Sequence, residues 1–432
     1  MQLVAYGAQD IYLTGNPQIT FFKVMYRRHT HFSLESIEQA FNGQVGFGKK
    51  ITCTISRNGD LIHKMYLRAV LPAVESADAS APANANTFKW VEDVGHALIQ
   101  TVDVEIGGQR IDRHYGEWLH VWNELTQTAG HKDGYETMIG NHPDTQQPIG
   151  QMRVVTGTPA VGTDPKLKTP AYTMYIPLIF WFNRNPGLAL PLIALQYHEI
   201  KINFEFRPLE QLWTGPSASL LSIGDLSASL FVDYVYMDTD ERRRFAQVTH
   251  EYLIEQLQYT GSSSITANNT NVPTKLQLNH PCKELIFMVQ DARKLASKKY
   301  FDFGIPIDGT SLHTAALIEI GASAGYSTRS IMANATEQNP VKMAALQLNG
   351  HDRFSERDGM YFNVVQPYQH HERIPATGIN VYSFALKPED HQPSGHATCP
   401  ASTTPPCDSR SRNSHQEASS SFSRPITTCC AS

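Results

Sequence analysis

The chain has 432 residues, two to three times an ordinary domain length, with 41% hydrophobic, 10% aromatic and only 18% charged residues, which allows large cores under a weakly charged surface. Its 28 glycines and 25 prolines are near ordinary usage and exclude a collagen-like or low-complexity body. A formal net charge of −5 excludes a global field for nucleic acid, and no segment reads as a signal peptide or membrane helix; the richest apolar stretch, 176–195, is broken by Asn183, Arg184, Asn185, Pro186 and Gly187.

Residues 1–25 form an N-terminal arm too short to fold alone, so contact with neighbouring molecules is expected of it. Beyond the arm the hydrophobic period is mostly two. Segments 51–56, 61–71, 100–106, 230–237, 284–290, 343–348 and 380–386 are rich in β-branched, aromatic and leucine residues and are mostly bounded by Gly, Pro, Asn or Asp. Helical spacing is rare. It predicts a helix over 117–128, through Trp118, Val121, Trp122 and Leu125, and a weaker one over 242–257. Residues 73–87 and 141–171 read as long surface loops. The chain is mainly β. A faint repeat, VEIGGQ at 104–109 and LQLNGH at 346–351, ends a strand in a glycine turn twice, about 240 residues apart. With the length, it points to two similar β-domains joined in the polar stretch 209–222.

Candidate chemistry is sparse. Only Cys53 and Cys282 of six cysteines lie before residue 396, which reads as a body from a reducing compartment. Among 18 histidines, His114 and His120 flank the start of the first helix, His280 lies two before Cys282, and His370 and His371 would point to opposite faces of a strand. No HxxxH, HExxH or paired CxxC occurs in the body, so structural or surface roles are expected of them. Residues 43–50 resemble a phosphate loop but lack its GK[ST] ending. A GxSxG at 321–325 lacks the helix that a nucleophile elbow needs. Glu92 with Asp93, and Asp238, Asp240 and Glu241, read as solvated turns, the latter group leading into a helix start at Asp240. The sequence therefore predicts no catalytic, cofactor or metal site and no enzyme. Two N-glycosylation sequons begin at Asn268 and Asn334; without a secretory signal most such matches arise by chance, and both are kept as candidate acceptors.

Several longer strings are more specific: GAQDIYLTGNPQITFFKVMYRRH at 7–29, FWFNRNPGLALPLIALQYHE at 180–199, DTDERRRFAQ at 238–247, QPYQHH at 366–371 and GINVYSFALKP at 378–388. In this order, over residues 1–395, the chain resembles the major capsid proteins of nucleocytoplasmic large DNA viruses, a double jelly-roll family with phycodnavirus, mimivirus and iridovirus members. The resemblance implies two tandem eight-stranded antiparallel jelly rolls, divided as an arm 1–25, a first roll 26–212, a linker 213–222 and a second roll 223–395. It implies a homotrimeric capsomer of pseudo-hexagonal outline in an icosahedral shell around an internal membrane and a double-stranded DNA genome. Neighbouring capsomers and minor capsid and penton proteins would be its partners, with no direct nucleic acid binding and only indirect contact with the membrane. Assembly would take place in the host cytoplasm, with the arm on neighbours or on the inner side of the shell. Trp118 and Trp122 would serve as core or as inter-subunit anchors, core being favoured. A glycan-binding jelly roll and, behind it, a cupin-like metalloenzyme are the rival readings.

The resemblance stops at His396. Residues 396–432 hold nine serines, five threonines, four prolines and four cysteines, the composition of a disordered tail. Back-translated from the third base of the His396 codon, 396–407 permits CNLSRIDNATL. The family carries something close to CNFSRIDNATL there. The same frame over 422–431 permits FATNYNVLR, similar to the family's last strand. One deleted base near codon 396 would account for both strings and for four accidental cysteines; a genuinely divergent tail is the alternative, since back-translation is free at every third base. Under the first reading the second roll would lack its last strands and leave unpaired edges.

Overall fold

The computed structural model describes residues 7–76, 88–142, 147–148, 153–154, 167–215, 221–262, 265, 271–276, 278–306, 337–348, 351–398, 407–412 and 425–431. Eight strands build a first unit: β1 (Phe32–Gln39), β2 (Lys50–Thr54), β3 (Leu61–Leu71), β4 (Ile99–Ile106), β5 (Gln109–Tyr115), β6 (Tyr172–Pro177), β7 (Ile200–Phe206) and β8 (Ser227–Met237). They pair antiparallel in two sheets of order β1-β8-β3-β6 and β2-β7-β4-β5. Alternation decides the buried faces. Met65, Leu67, Ala69 and Leu71 of β3 point inward with Leu230 and Val232 of β8, and meet Ile200, Ile202, Phe204 and Phe206 of β7 with Val102 and Val104 of β4 in one core.

The second unit repeats the plan with β9 (Leu257–Ser262), β10 (Asn271–Leu276), β11 (Glu284–Val289), β12 (Met343–Leu348), β13 (His351–Asp352), β14 (Ile379–Ser383), β15 (Cys407–Arg412) and β16 (Pro425–Ala431). Its sheets run β9-β16-β11-β14 and β10-β15-β12-β13. Numbered within each unit, both read 1-8-3-6 and 2-7-4-5, the two-sheet jelly roll. The glycine-turn repeat marks this equivalence: 104–109 falls on the hairpin from the fourth to the fifth strand, and in the second roll Leu348 and His351, on either side of the repeat's glycine, pair as the facing ends of the same two strands. In the first unit Gly107 and Gly108 take φ of 60° and 83°, the left-handed pair that a two-residue hairpin requires.

Three expectations are corrected. The linker placed at 213–222 precedes β8, which still pairs with β1 and β3, so the passage between units comes after Met237. Of the helix expected over 242–257 only α3 (Thr239–Gln247) forms, capped by the Asp238 side chain on the Thr239 amide. Residues 248–256 run on without helix because Tyr252 and Ile254 pack onto the first core and Glu255 is drawn into a buried ion cluster. Cys53 is a buried free thiol, but Cys282 is disulfide-bonded, against the reading of a reduced body.

Helix α1 (Gly116–Thr126) covers the expected 117–128, and α2 (Ala129–Ile139) follows it directly. In the tail, where the sequence reading expects no strands, β15 and β16 occupy the seventh and eighth positions of the second roll. Their sequences, CDSRSR and PITTCCA, lack the apolar alternation of the first unit's β7. The second roll's apolar residues fall into separate small clusters, around Leu276, Leu285 and Leu346 and around Val289, Ala344 and Phe362. A cavity of about 30 Å³ lies among Leu276, Phe287, Leu346, Phe354 and Phe362.

Candidate functional site at the seam between the barrels

Helix α1 joins the units. Its Trp118, Val121, Trp122 and Leu125 recur at helical spacing and pack on Ile286, Met288, Phe303, Ile379 and Val381 of the second roll, while Leu119 belongs to the first core. Both tryptophans are therefore core residues of the seam. Gly116 permits the close approach: a Cβ there would lie 2.3 Å from the His96 carbonyl oxygen and 2.5 Å from that of Ile99. In return, Tyr300 and Phe301 from the second unit's 291–304 segment enter the first core. Tyr300 donates to the Gln211 carbonyl at 3.0 Å beneath the Arg207 guanidinium, which lies 4.5 Å from its ring and pairs with Glu117 at 2.6 Å.

Polar clasps reinforce this contact. Buried Glu255 accepts from Arg184 of the first unit at 2.7 Å and from Lys283 of the second. Arg184 also lies 4.6 Å from the Trp122 ring centre. The Leu257 amide donates to Asp112 at 3.1 Å, and Arg373 pairs with Glu124 at 3.3 Å. Buried charges removed from water are tolerable only when paired in this way. His371, its side chain sealed from solvent, lies between Glu284 Oε2 at 3.0 Å and Glu389 Oε1 at 2.7 Å. Burial alone would lower its pKa, yet the two carboxylates raise it to about 9.

A second buried cluster surrounds Asp93, which takes the left-handed conformation at φ 47°. Asp93 Oδ2 is 2.7 Å from His120 Nδ1, its other oxygen accepts from Asn141 Nδ2, and its amide donates to Asn141 Oδ1 at 3.0 Å. His96 Nε2 shares a hydrogen bond of 2.8 Å with the Tyr135 hydroxyl, and the His120 ring stacks on Phe301 at 4.7 Å. Burial lowers the His96 pKa to about 3.

The outer surface offers a different chemistry. In the arm Tyr12, Leu13, Phe21, Phe22 and Tyr26 are 87–99% exposed. The apolar ridge continues into β1 through Phe32 and Leu34, also exposed, and among the described residues β1 pairs only with β8, so that no described strand lies on its other edge. An unpaired edge beside exposed apolar surface is ready to receive another chain.

The remaining candidates are dispersed. Residues 43–50 are a connection into β2, Asp238 is a helix cap, and His114 pairs with Asp112 at 2.9 Å inside the protein. His370 Nδ1 donates to the Leu386 carbonyl at 3.0 Å, and His280 is exposed near β11. Asn268, Asn334 and the GxSxG at 321–325 lie outside the described residues. The cluster of Asp93, His96 and His120 escaped the sequence reading because the chain separates its members and only the packing of α1 on 93–98 unites them. No helix among the described residues is long and apolar enough to cross a membrane.

Comparison with known proteins gives a consistent set of likenesses. The family described as "Major capsid protein N-terminus" matches residues 20–238, and "Large eukaryotic DNA virus major capsid protein" matches 241–400. The chain is 50% identical over 423 residues to the major capsid protein of Pyramimonas orientalis virus, covering 92% of this chain and 88% of the relative. It is 41% identical over 407 residues to that of Paramecium bursaria Chlorella virus 1, covering 92% and 83%. Among solved structures, PBCV-1 VP54 aligns with a TM-score of 0.70 at 32% identity over 95% of each chain. The Faustovirus major capsid protein shares the fold at a TM-score of 0.71 and 14% identity, over 98% of this chain and 93% of that one.

Proposed function

The chain belongs to the major capsid proteins of large eukaryotic DNA viruses, and from that membership we propose that it acts as a homotrimeric capsomer whose arm engages neighbouring molecules. It is a structural protein of the virion shell and not an enzyme, and it assembles into the capsid lattice with other capsomers. Neither the glycan-binding nor the metalloenzyme reading is favoured. The observation that carries the trimer reading is the exposed apolar ridge from Tyr12 to Leu34 beside the edge of β1 on which no described strand lies. Packing does the work: two stiff sandwiches locked at a seam present fixed faces while their loops vary. Minor capsid and penton proteins are the further partners proposed, with assembly in the host cytoplasm, no direct nucleic acid contact and only indirect contact with a membrane. Asn268 and Asn334 are proposed only as candidate glycan acceptors. Light scattering on the purified chain is expected to give three times 48.3 kDa, and removal of residues 1–31 is expected to weaken association while the fold persists. A monomer at every concentration would refute the reading.

A second reading concerns the tail. We propose that residues 396–432 are a shifted-frame rendering of the family's last two strands. The family match ends at residue 400, β15 and β16 carry little apolar sequence, and β16 coincides with the FATNYNVLR string that the shifted frame permits. Nucleotide reads giving an uninterrupted frame across codons 390–400 would refute it. A chain restored to the shifted frame is expected to associate more strongly than the present one.

A further inference from the structure

We propose that Asp93, His96 and His120 form a buried structural site for a zinc-class divalent ion at the seam between the barrels. One ligand atom from each side chain lies within 4.8 Å of the others. All three residues are at most 8% exposed, and His96 is fully enclosed. Two imidazoles and one carboxylate are a donor set that zinc takes with a water in the fourth position, whereas calcium and magnesium prefer all-oxygen shells. Tetrahedral bonds of about 2.0–2.2 Å place donors roughly 3.4 Å apart, so small ring rotations close the triangle on an ion.

Two independent features point to a ligand. His96 Nδ1 and His120 Nε2 are buried without a hydrogen-bond partner, a costly state for polar atoms inside a protein. Asp93 is aimed by a two-way grip from Asn141, the outer support that metal-binding carboxylates commonly have. Asp93 also holds a left-handed backbone, which places strain at the cluster. Phe301, stacked on His120 from the second unit, covers one side of the site. The role is therefore a staple that fixes the helix pair beneath Phe301, not catalysis.

The test is elemental analysis of the purified full chain after dialysis with zinc chloride and removal of free metal, together with X-ray absorption at the zinc edge. The proposal expects about one zinc per chain in a shell of nitrogen and oxygen, lost in His96→Gln and His120→Gln and kept in Tyr135→Phe. Less than a tenth of an equivalent in the wild-type chain overturns it. So does a sulfur shell, which would assign the ion to cysteines, and so does full zinc retention in both histidine variants. The wild-type absorption spectrum decides the donor atoms even if the variants fail to fold.

Discussion

His371 makes the stability of this protein depend on alkaline pH. The imidazole ordinarily titrates at 6.5 and is held at about 9 in the folded chain by Glu284 and Glu389, against the opposing effect of burial. A group whose folded pKa is raised stabilises fully below its unfolded pKa, and that stabilisation disappears as pH rises through the folded pKa. The window is therefore 6.5 to about 9. At about 1.4 kcal/mol per tenfold change, the contribution is on the order of 3 kcal/mol below the window and about 1.4 kcal/mol near pH 8. Guanidinium unfolding of the wild-type chain and of His371→Gln, at matched concentration from pH 6 to 9.5, reads this directly. The wild type is expected to lose on the order of 3 kcal/mol more than the variant across the window. Glu389→Gln should shrink the pH-dependent part while keeping the contact with Glu284. Parallel pH profiles for wild type and His371→Gln would refute the clamp.

Two further predictions concern helix packing. Gly116→Ala drives a methyl into the His96 and Ile99 carbonyls and is expected to cost about 1–3 kcal/mol or more in chemical denaturation, whereas Gly134→Ala, with open space around it in α2, should be neutral or stabilise by up to about 1 kcal/mol; equal effects would contradict the close approach of α1. Trp122→Ala removes a seam anchor and the ring beneath Arg184, with an expected cost of about 3–5 kcal/mol and earlier proteolytic cleavage between the barrels; unchanged stability would remove the seam from the account.

The sequence made the β character and the repeat legible because both are local. Alternation in 61–71 and the glycine-turn motifs in 104–109 and 346–351 need no tertiary knowledge, and the apolar stripe of α1 follows from spacing alone. Strand β7 alternates as cleanly, through Ile200, Ile202, Phe204 and Phe206, although it stands outside the expected set. Strand β1 was hidden for a physical reason: seven of its eight residues avoid full burial, so it carries no two-sided pattern. The junction was misplaced because β8 returns to the middle of the first sheet after a polar stretch that resembles a linker. The clamp at His371 and the cluster at Asp93 depend on partners distant in the chain, and spacing rules reach only near neighbours.

The shared 1-8-3-6 order also has a kinetic meaning. In each roll the last strand made is inserted between the first and the third, so the sheet cannot close until that strand arrives. For the first roll, Phe32 meets Met237, about 200 residues later, a contact order that slows folding. During synthesis the first roll can close once β8 has emerged, while the second must wait until β16 has emerged. Until then its β9 and β11 present open edges, the state in which chains of this kind capture one another. The arrival of β16 thus governs how long the nascent subunit stays vulnerable, and changes in that strand act first on the yield of soluble protein.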